Sequence, residues 1–164
     1  MVAWIARDLV ARIRELTVRA NALERQITER ITTLAPRLLA LTGVGALTAA
    51  KIVAETADIR RFRSKDAFAR HNGTAPLPVW SSNLVRHRLS RTGNRQLNCS
   101  IHRIAVTQKR CHEGARTYLE RRIATGDTKP EALRALKRKL SDVVYRTLLA
   151  DANQAFQAGV SEAA

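Results

Sequence analysis

The N-terminal segment places the strongest constraint on how this chain can fold. Residues 2–34 contain neither glycine nor proline, and apolar residues recur there at alternating steps of four and three: Leu9, Ile13, Leu16, Ala20, Leu23 and Ile27. This spacing aligns them along one side of a helix, as in a coiled-coil seam. The pattern predicts a coiled-coil-type helix over residues 1–35, which packs either on its own domain or on a second copy. We favour self-association, because so long a helix overhangs a small core.

Composition predicts that the rest of the chain is also helical. Of the 164 residues, 45% are apolar but only 4% are aromatic. A core with so few rings is built from Leu, Ile, Val and Ala packed between helices. The length suits one compact unit with appendages. We therefore expect a mainly α protein with a compact helical domain over 36–150 and a flexible tail over 151–164.

The charge balance indicates a polyanionic partner. Lys and Arg number 29 against 14 Asp and Glu, giving a formal net charge of +15. Such a field favours nucleic acid, although composition alone does not separate DNA from RNA or from an anionic membrane surface. The membrane is the weaker alternative, because no run is long and apolar enough to span and the N-terminus lacks a signal-peptide pattern. We expect a cytoplasmic protein.

The two cysteines do not indicate a disulfide framework or a metal site. Cys99 and Cys111 would remain thiols in a reducing compartment. Together with His102 and His112 they offer zinc-type ligands, but their spacing fits neither a zinc ribbon nor a finger. No metal site is predicted in this chain.

A glycine-containing turn joins two helical patterns at about 38–56. Gly43 and Gly45 bracket Val44, and Leu47, Ala50 and Ile52 are expected to face inward. Glycines permit a tight turn, and the free N–H groups that begin the next helix can hold a phosphate. We interpret this segment as a helix-hairpin-helix element whose Lys51 adds a cation. The alternative is a turn that only packs two helices together.

Arginines are concentrated just after this element. Arg60, Arg61, Arg63 and Lys65 precede a short helix that begins near Ser64 and stops at Asn72-Gly73. A solvated charge run is the simplest explanation. Its position beside a phosphate-binding turn favours contact with a DNA or RNA backbone.

The helical pattern fails between Thr74 and Leu89. Val79 and Trp80 indicate extended backbone, Ser81-Ser82-Asn83 indicates a turn, and Val85 to Leu89 alternates apolar and basic residues. The segment predicts a small hairpin or ordered loop that exposes two hydroxyl groups.

Three further helices complete the predicted fold. One follows Asn94-Arg95, one covers about Ala115 to Ala124, and the last begins with Thr128-Lys-Pro-Glu131, a capping box. The last helix is expected to turn Leu133, Leu136, Leu140 and Val143 or Val144 inward. Its outward face is predicted to be Arg134, Lys137, Arg138 and Lys139.

Several of these segments resemble the C-terminal half of the DEDD-type, bridge-RNA-guided insertion-sequence transposases of the IS110 family. The matching strings run in the family's order over about residues 39–149: Leu41-Thr-Gly-Val-Gly45 with Thr48-Ala-Ala50, Asp58-Ile-Arg-Arg-Phe-Arg63, Asn72-Gly-Thr-Ala-Pro76, Val79-Trp-Ser-Ser-Asn83, His87-Arg-Leu-Ser-Arg-Thr-Gly-Asn-Arg95, and Glu131-Ala-Leu-Arg-Ala-Leu-Lys-Arg138 through Tyr145.

The resemblance implies a composite mechanism. In that family an N-terminal RuvC-like domain supplies four acidic residues for Mg²⁺, and the C-terminal domain supplies a serine that becomes transiently linked to DNA. The serine falls on Ser81; the family commonly has glycine next, but this chain has Ser82, so Ser82 is the alternative nucleophile. The implied contacts to DNA or guide RNA add Arg86, Arg88, Arg91, Asn94 and Arg95.

No acidic tetrad can be assembled from the scattered carboxylates of this sequence, so we expect the RuvC-like domain to be missing and the chain to be inactive alone. In the complete enzyme, Mg²⁺ would then be bound by that missing domain. The expected protein partner of this chain is either a second copy, in a homo-oligomer, or the RuvC-like domain. Two alternatives remain open: an inactive, truncated nucleic-acid-binding module, and a structural or ribosome-associated RNA-binding protein.

Overall fold

The computed structural model describes residues 2–81, 84–88 and 92–162. The described chain is mainly helical, as predicted. Its elements in order are α1 (Val2–Leu34), α2 (Pro36–Leu39), α3 (Ala46–Thr56), a 3-10 turn (Ile59–Arg61), α4 (Lys65–His71), β1 (Leu77–Ser81), β2 (Leu84–Arg88), α5 (Arg95–Cys111), α6 (Glu113–Ala124) and α7 (Lys129–Glu162).

Helix α1 has the predicted bounds, and most of it projects from the body. Every residue from 2 to 21 is exposed, including Leu9 at 56% and Ile13 at 61%. Only its C-terminal end enters the core, where Ile31 is buried and Ile27 is partly buried. The chain turns at Ala35, and Pro36 begins α2 because its missing N–H costs nothing at a helix start.

The core lies where α5 and α7 pack together and against α2, α3, α4 and α6. Its largest fully buried apolar side chains are one aromatic ring and six aliphatic chains: Phe68, Leu38, Ile52, Leu97, Ile101, Ile104 and Val144. Val44 is also buried, so an apolar contact holds the turn between α2 and α3. Leu47, predicted to face inward, is instead 51% exposed, whereas Ala49, two residues later, is fully buried.

Helix ends follow local capping signals. The Ser64 hydroxyl accepts from the N–H of Ala67 at 3.2 Å and begins α4. Thr128 and Glu131 form the predicted capping box, in which the Glu131 carboxylate accepts from the Thr128 N–H at 2.9 Å. These confirmed boundaries all depend on residues within four positions of each other.

The C-terminal helix corrects two predictions. Helix α7 continues to Glu162, so no flexible tail begins at 151; Asp151 is 4% exposed and its carboxylate accepts from the N–H groups of Arg37 and Leu38, both at 3.2 Å. The last helix thereby caps the start of α2.

The predicted outward face of α7 is also wrong at two positions. Lys137 is 8% exposed. Arg138 is partly buried and pairs with Asp66 and Asp142. Helix α7 packs against several elements at once, and its buried arc is therefore wider than its apolar stripe.

Candidate nucleic-acid interface

A two-stranded hairpin leaves the helical body between α4 and α5. Strands β1 and β2 pair antiparallel, with Val79 opposite Arg86 and Ser81 opposite Leu84. Because strand residues alternate between two faces, the positions of Ser81, Arg86 and Arg88 fall on one face of the ribbon. The backbone of Ser81 is the last of β1. Ser82 and Arg91 lie outside the described residues.

Two glycines lie in close contact at the base of this hairpin. Gly73 adopts the left-handed conformation, with φ of 72°. A Cβ atom on Gly93 would lie 2.3 Å from the backbone nitrogen of Gly73, a separation no real Cβ contact shows. The entry and exit of the hairpin are therefore fixed against each other by backbone packing that excludes any side chain at position 93.

Asparagine side chains fasten this base to the surrounding helices. Asn72 is fully buried; its amide donates to the Ser141 hydroxyl at 2.8 Å, and its carbonyl oxygen accepts from the N–H of Thr74 at 3.0 Å. Asn98 donates to the backbone carbonyl of Asn72 at 2.9 Å. Buried polar groups held on every side in this way resist displacement, because separating any pair leaves an unsatisfied group.

Asn94 closes the exit of the hairpin. Its N–H donates to the His71 carbonyl at 2.7 Å, and its side-chain oxygen accepts from the N–H groups of Gln96 and Leu97, which caps α5. The remaining amide group donates to Glu55 at 2.7 Å. Asn94, predicted to contact nucleic acid, thus uses its side chain to join α5 to α3 and its backbone N–H to reach α4.

A lysine completes the polar base. Lys137 donates to the side-chain oxygen of Asn98 at 2.6 Å. Burial lowers the pKa of its ammonium group, with Arg134 adding a smaller repulsion against the opposing effect of Cys99. Asn72, Asn98, Lys137 and Ser141 form a connected set, which we call the hairpin clamp.

The turn of the predicted helix-hairpin-helix element packs on α5. Gly43 has φ of 86°, and a Cβ there would lie 3.3 Å from the Ile104 carbonyl oxygen. The nearby carbonyl of Thr42 accepts from Gln108 at 2.8 Å. Gly45 begins α3 with no side-chain cap, and nothing lies within 4 Å of the position its Cβ would take. Space is therefore open beside Gly45, the residue that precedes the first turn of α3, and Lys51 lies half-buried farther along the helix.

The predicted arginine cluster divides into three environments. Arg60 pairs with Asp58 at 3.0 Å, and this hydrogen bond lowers the pKa of Asp58 and raises that of Arg60. Arg61 lies over the ring of Phe62, 4.5 Å from its centroid. Arg63 is exposed, with no carboxylate partner in the described part of the chain. Arg63 is therefore the member of the cluster most available to an anion.

His71 supports the same corner. Its Nε2 lies 3.4 Å from a guanidinium nitrogen of Arg61. Burial lowers the pKa of His71, and the positive charge of Arg61 lowers it further against the opposing effect of Glu55. A neutral imidazole can accept a hydrogen bond from Arg61 at Nε2.

No group of three His, Cys, Asp or Glu side chains that could hold a metal ion occurs in the described ranges. In the same residues, no helix is both long and apolar enough to cross a bilayer. The sequence did not predict the tertiary contacts of Asn72, Asn98, Lys137 and Asp151. Each acts on a partner at least 26 positions away, which no local pattern indicates.

The fold and site together define a mainly helical, strongly cationic protein that presents a β-hairpin from a rigid polar base. Residues 35–120 match the Transposase IS116/IS110/IS902 family. The chain is also 31% identical over 131 residues to "Insertion element IS110 uncharacterized 43.6 kDa protein" of Streptomyces coelicolor. That match covers 78% of this chain, which spans 32% of the length of that relative. The chain therefore belongs to the IS116/IS110/IS902 transposase family.

Proposed function

We propose that this chain is the DNA-binding part of an insertion-sequence transposase. Family membership carries the proposal, and the formal net charge of +15 supports it, because phosphate contacts by Lys and Arg release counterions. The proposed contacts to DNA or guide RNA are those of the sequence analysis: Gly43, Gly45, Lys51, Arg60, Arg61, Arg63, Arg86, Arg88, Arg91, Asn94 and Arg95. Of these, Arg61, Arg63 and Arg95 are exposed and have no carboxylate partner in the described residues.

We further propose that Ser81 is the nucleophile for strand cleavage and rejoining, with Ser82 as the alternative. Ser81 ends β1, and the base of its hairpin is held by the Gly73–Gly93 contact and the hairpin clamp. A nucleophile must be presented within a fraction of an ångström of its productive position. Rigid attachment of the hairpin supports that role.

The proposed step exchanges one phosphorus–oxygen bond for another. The serine Oγ forms a new bond to a DNA phosphorus, one phosphorus–oxygen bond to the sugar breaks, and the serine proton ends on the released sugar hydroxyl. The covalent phosphodiester keeps the free energy of the broken bond, so a second strand's hydroxyl can reverse the step and release the serine. The reaction transfers the strand without net hydrolysis.

The described residues do not fit Mg²⁺, since no cluster of three ligands occurs among them, and no step is assigned to a metal in this chain. We propose that the metal is held by a RuvC-like domain, joined to these residues or supplied as a partner.

We also propose that a guide RNA takes part and that the exposed seam of α1 pairs with a second copy. These proposals rest on family membership and on the exposure of Leu9, Ile13, Leu16 and Leu23.

The second candidate function is an inactive nucleic-acid-binding module. The net charge of +15 favours it as much as it favours the first candidate. The two candidates share DNA binding and differ only in whether a covalent intermediate forms.

Two measurements test these proposals. Fluorescence anisotropy with duplex DNA should show weak sequence preference and steep loss of affinity as salt rises, whereas affinity independent of salt would contradict DNA binding through phosphates.

For the serine, the protein is supplied with a RuvC-like domain, Mg²⁺ and bridge RNA, then trapped on DNA and digested with trypsin. The tryptic peptide of residues 71–86 should carry the nucleotide, and fragmentation should place it on Ser81. A nucleotide on Ser82 would move the assignment by one residue, and one on any other peptide would remove it.

A further inference from the structure

The middle of the chain contains no carboxylate. Asp66 and Glu113 are consecutive acidic residues, so the 46 residues between them hold no Asp or Glu but eight Lys or Arg. The other 118 residues hold all 14 carboxylates and 21 of the 29 cations. The middle segment is therefore no denser in cations than the rest; it differs because nothing within it neutralises them. This segment contains the hairpin and all of α5.

Helix α5 gathers part of this charge on one side. At about 100° per residue, the side opposite its buried residues is formed by Arg95, Cys99, His102, Arg103, Val106 and Arg110. All of these are exposed except Val106, which is half-buried. We call this surface the α5 outer face.

The arginine side chains of this face form no ion pairs within the described part of the protein. Arg95, Arg103 and Arg110 have no carboxylate partner in the described ranges, whereas Arg60, Arg122 and Arg138 are all ion-paired. Although His102 is exposed, partial desolvation of its ring lowers its pKa and the nearby Lys137 lowers it further, so the positive charge of the face comes from the arginines. Unpaired guanidinium groups beside small or apolar residues suit phosphate contact.

We propose that the α5 outer face binds duplex DNA, with Arg95, Arg103 and Arg110 on the phosphates; the proposal rests on the DNA-binding function above. Arg95 and Arg103 are eight residues apart, about 12 Å along the helix axis, which matches the width of about 12 Å of the major groove of B-DNA. The deep, narrow major groove of duplex RNA does not admit side chains. A second copy of the same face would be repelled by its like charge.

The placement also agrees with the proposed chemistry. Asn94, the residue that closes the hairpin base, is the N-cap of α5, so DNA lying along α5 approaches the element that carries Ser81. The sequence analysis assigned binding residues only as far as Arg95. The structure extends that assignment along the helix to Arg103 and Arg110.

The first test compares two matched double variants. Arg103→Gln with Arg110→Gln removes two charges seven residues apart from α5, and Arg7→Gln with Arg14→Gln removes two charges at the same spacing from exposed positions of α1. The α5 variant should reduce the slope of log affinity against log salt by about 1.8 for duplex DNA, because each lost phosphate contact removes about 0.9. The α1 variant should leave that slope unchanged.

The outcomes separate this inference from the proposed function. If the wild-type protein does not bind DNA, the proposed function fails. If the wild type binds and the α5 variant keeps its slope, DNA binding stands and the α5 assignment is wrong. If the α5 variant loses affinity for single-stranded RNA but not for duplex DNA, the face is an RNA surface and the proposal is also wrong.

The two native thiols provide a second test that keeps every arginine. Cys99 lies on the α5 outer face, and Cys111 is exposed on the same helix about 120° around from it. A photo-crosslinker is attached to Cys99 in a Cys111→Ser protein, and to Cys111 in a Cys99→Ser protein. Duplex DNA should crosslink strongly from Cys99 and weakly from Cys111. Equal or reversed yields would overturn the proposal.

Discussion

The ammonium group of Lys137 lies 2.6 Å from the side-chain oxygen of Asn98, in a position where the lysine is 8% exposed. Asn98 uses its other amide atom to hold the backbone carbonyl of Asn72 at 2.9 Å. One asparagine thus joins α7 to the residue where the hairpin segment leaves α4. The hairpin clamp depends on both ends of that side chain.

Asn98→Ala should therefore cost more stability than Lys137→Met. The first change leaves a buried ammonium without its acceptor and a carbonyl without its donor, and we expect a loss of about 3 kcal/mol. The second removes the buried charge and leaves one oxygen unpaired, and we expect it to lower the free energy of unfolding by about 1 kcal/mol. Urea unfolding measures both, and the double variant should lose less than the sum. A larger loss for Lys137→Met would show that the clamp is held in another way.

Gly93→Ala should disrupt the hairpin base, whereas Gly45→Ala should be tolerated. The new Cβ at 93 would lie 2.3 Å from backbone nitrogen of Gly73, which cannot move aside as a side chain can. We expect a loss of at least about 2 kcal/mol, seen as a lower midpoint in thermal unfolding. Position 45 has φ of −91° and open space around it, so alanine there should change the midpoint little. Equal effects at the two sites would refute the proposed close contact.

Much of the fold can be predicted from local sequence signals, whereas the hairpin clamp cannot. The periodicity of residues 2–34, the Ser64 cap and the Thr128–Glu131 box each lie within one element, so the sequence predicts their bounds. The sequence places Lys137 on a solvated charged face, because its acceptor Asn98 lies 39 residues earlier and no local pattern indicates it. Asp151 begins a small, polar stretch that resembles a tail, although it caps a helix 113 residues away. The family resemblance implies Ser81 and the arginines of the hairpin segment, whereas the run Arg60–Arg63 is visible in the sequence itself.

Asp151→Ala should destabilise the whole protein, and the neighbouring Asn153→Ala should not. Asp151 accepts two backbone N–H groups at the start of α2 from a position 4% exposed, while Asn153 is exposed on the same helix. Loss of such a cap costs about 1–2 kcal/mol. Chemical denaturation of both variants would detect the difference. An Asp151 variant as stable as wild type would restore the view of this region as a flexible tail.

Mild acid should lower stability through His71 and His102. Burial is the largest cause of the lowered pKa of both groups, and nearby Arg61 and Lys137 respectively add to it. As pH falls through about 6.5 the unfolded chain binds these protons before the folded chain does, so the free energy of unfolding decreases. Urea titrations at pH 7.5 and 5.5 should show this decrease, and a His71→Gln, His102→Gln protein should show less of it. The opposite trend with pH would contradict the neutral form of His71 that accepts from Arg61.

The role of Ser81 is tested most directly by a covalent protein–DNA adduct on a denaturing gel. The protein is combined with a RuvC-like domain in cis or in trans, Mg²⁺, bridge RNA and labelled DNA. Ser81→Ala should abolish the adduct and leave DNA binding nearly intact, because one hydroxyl contributes little beside so many cations. Ser82→Ala should retain the adduct. An adduct that persists in Ser81→Ala would contradict the account, and its loss in Ser82→Ala alone would transfer the nucleophile to the neighbouring serine.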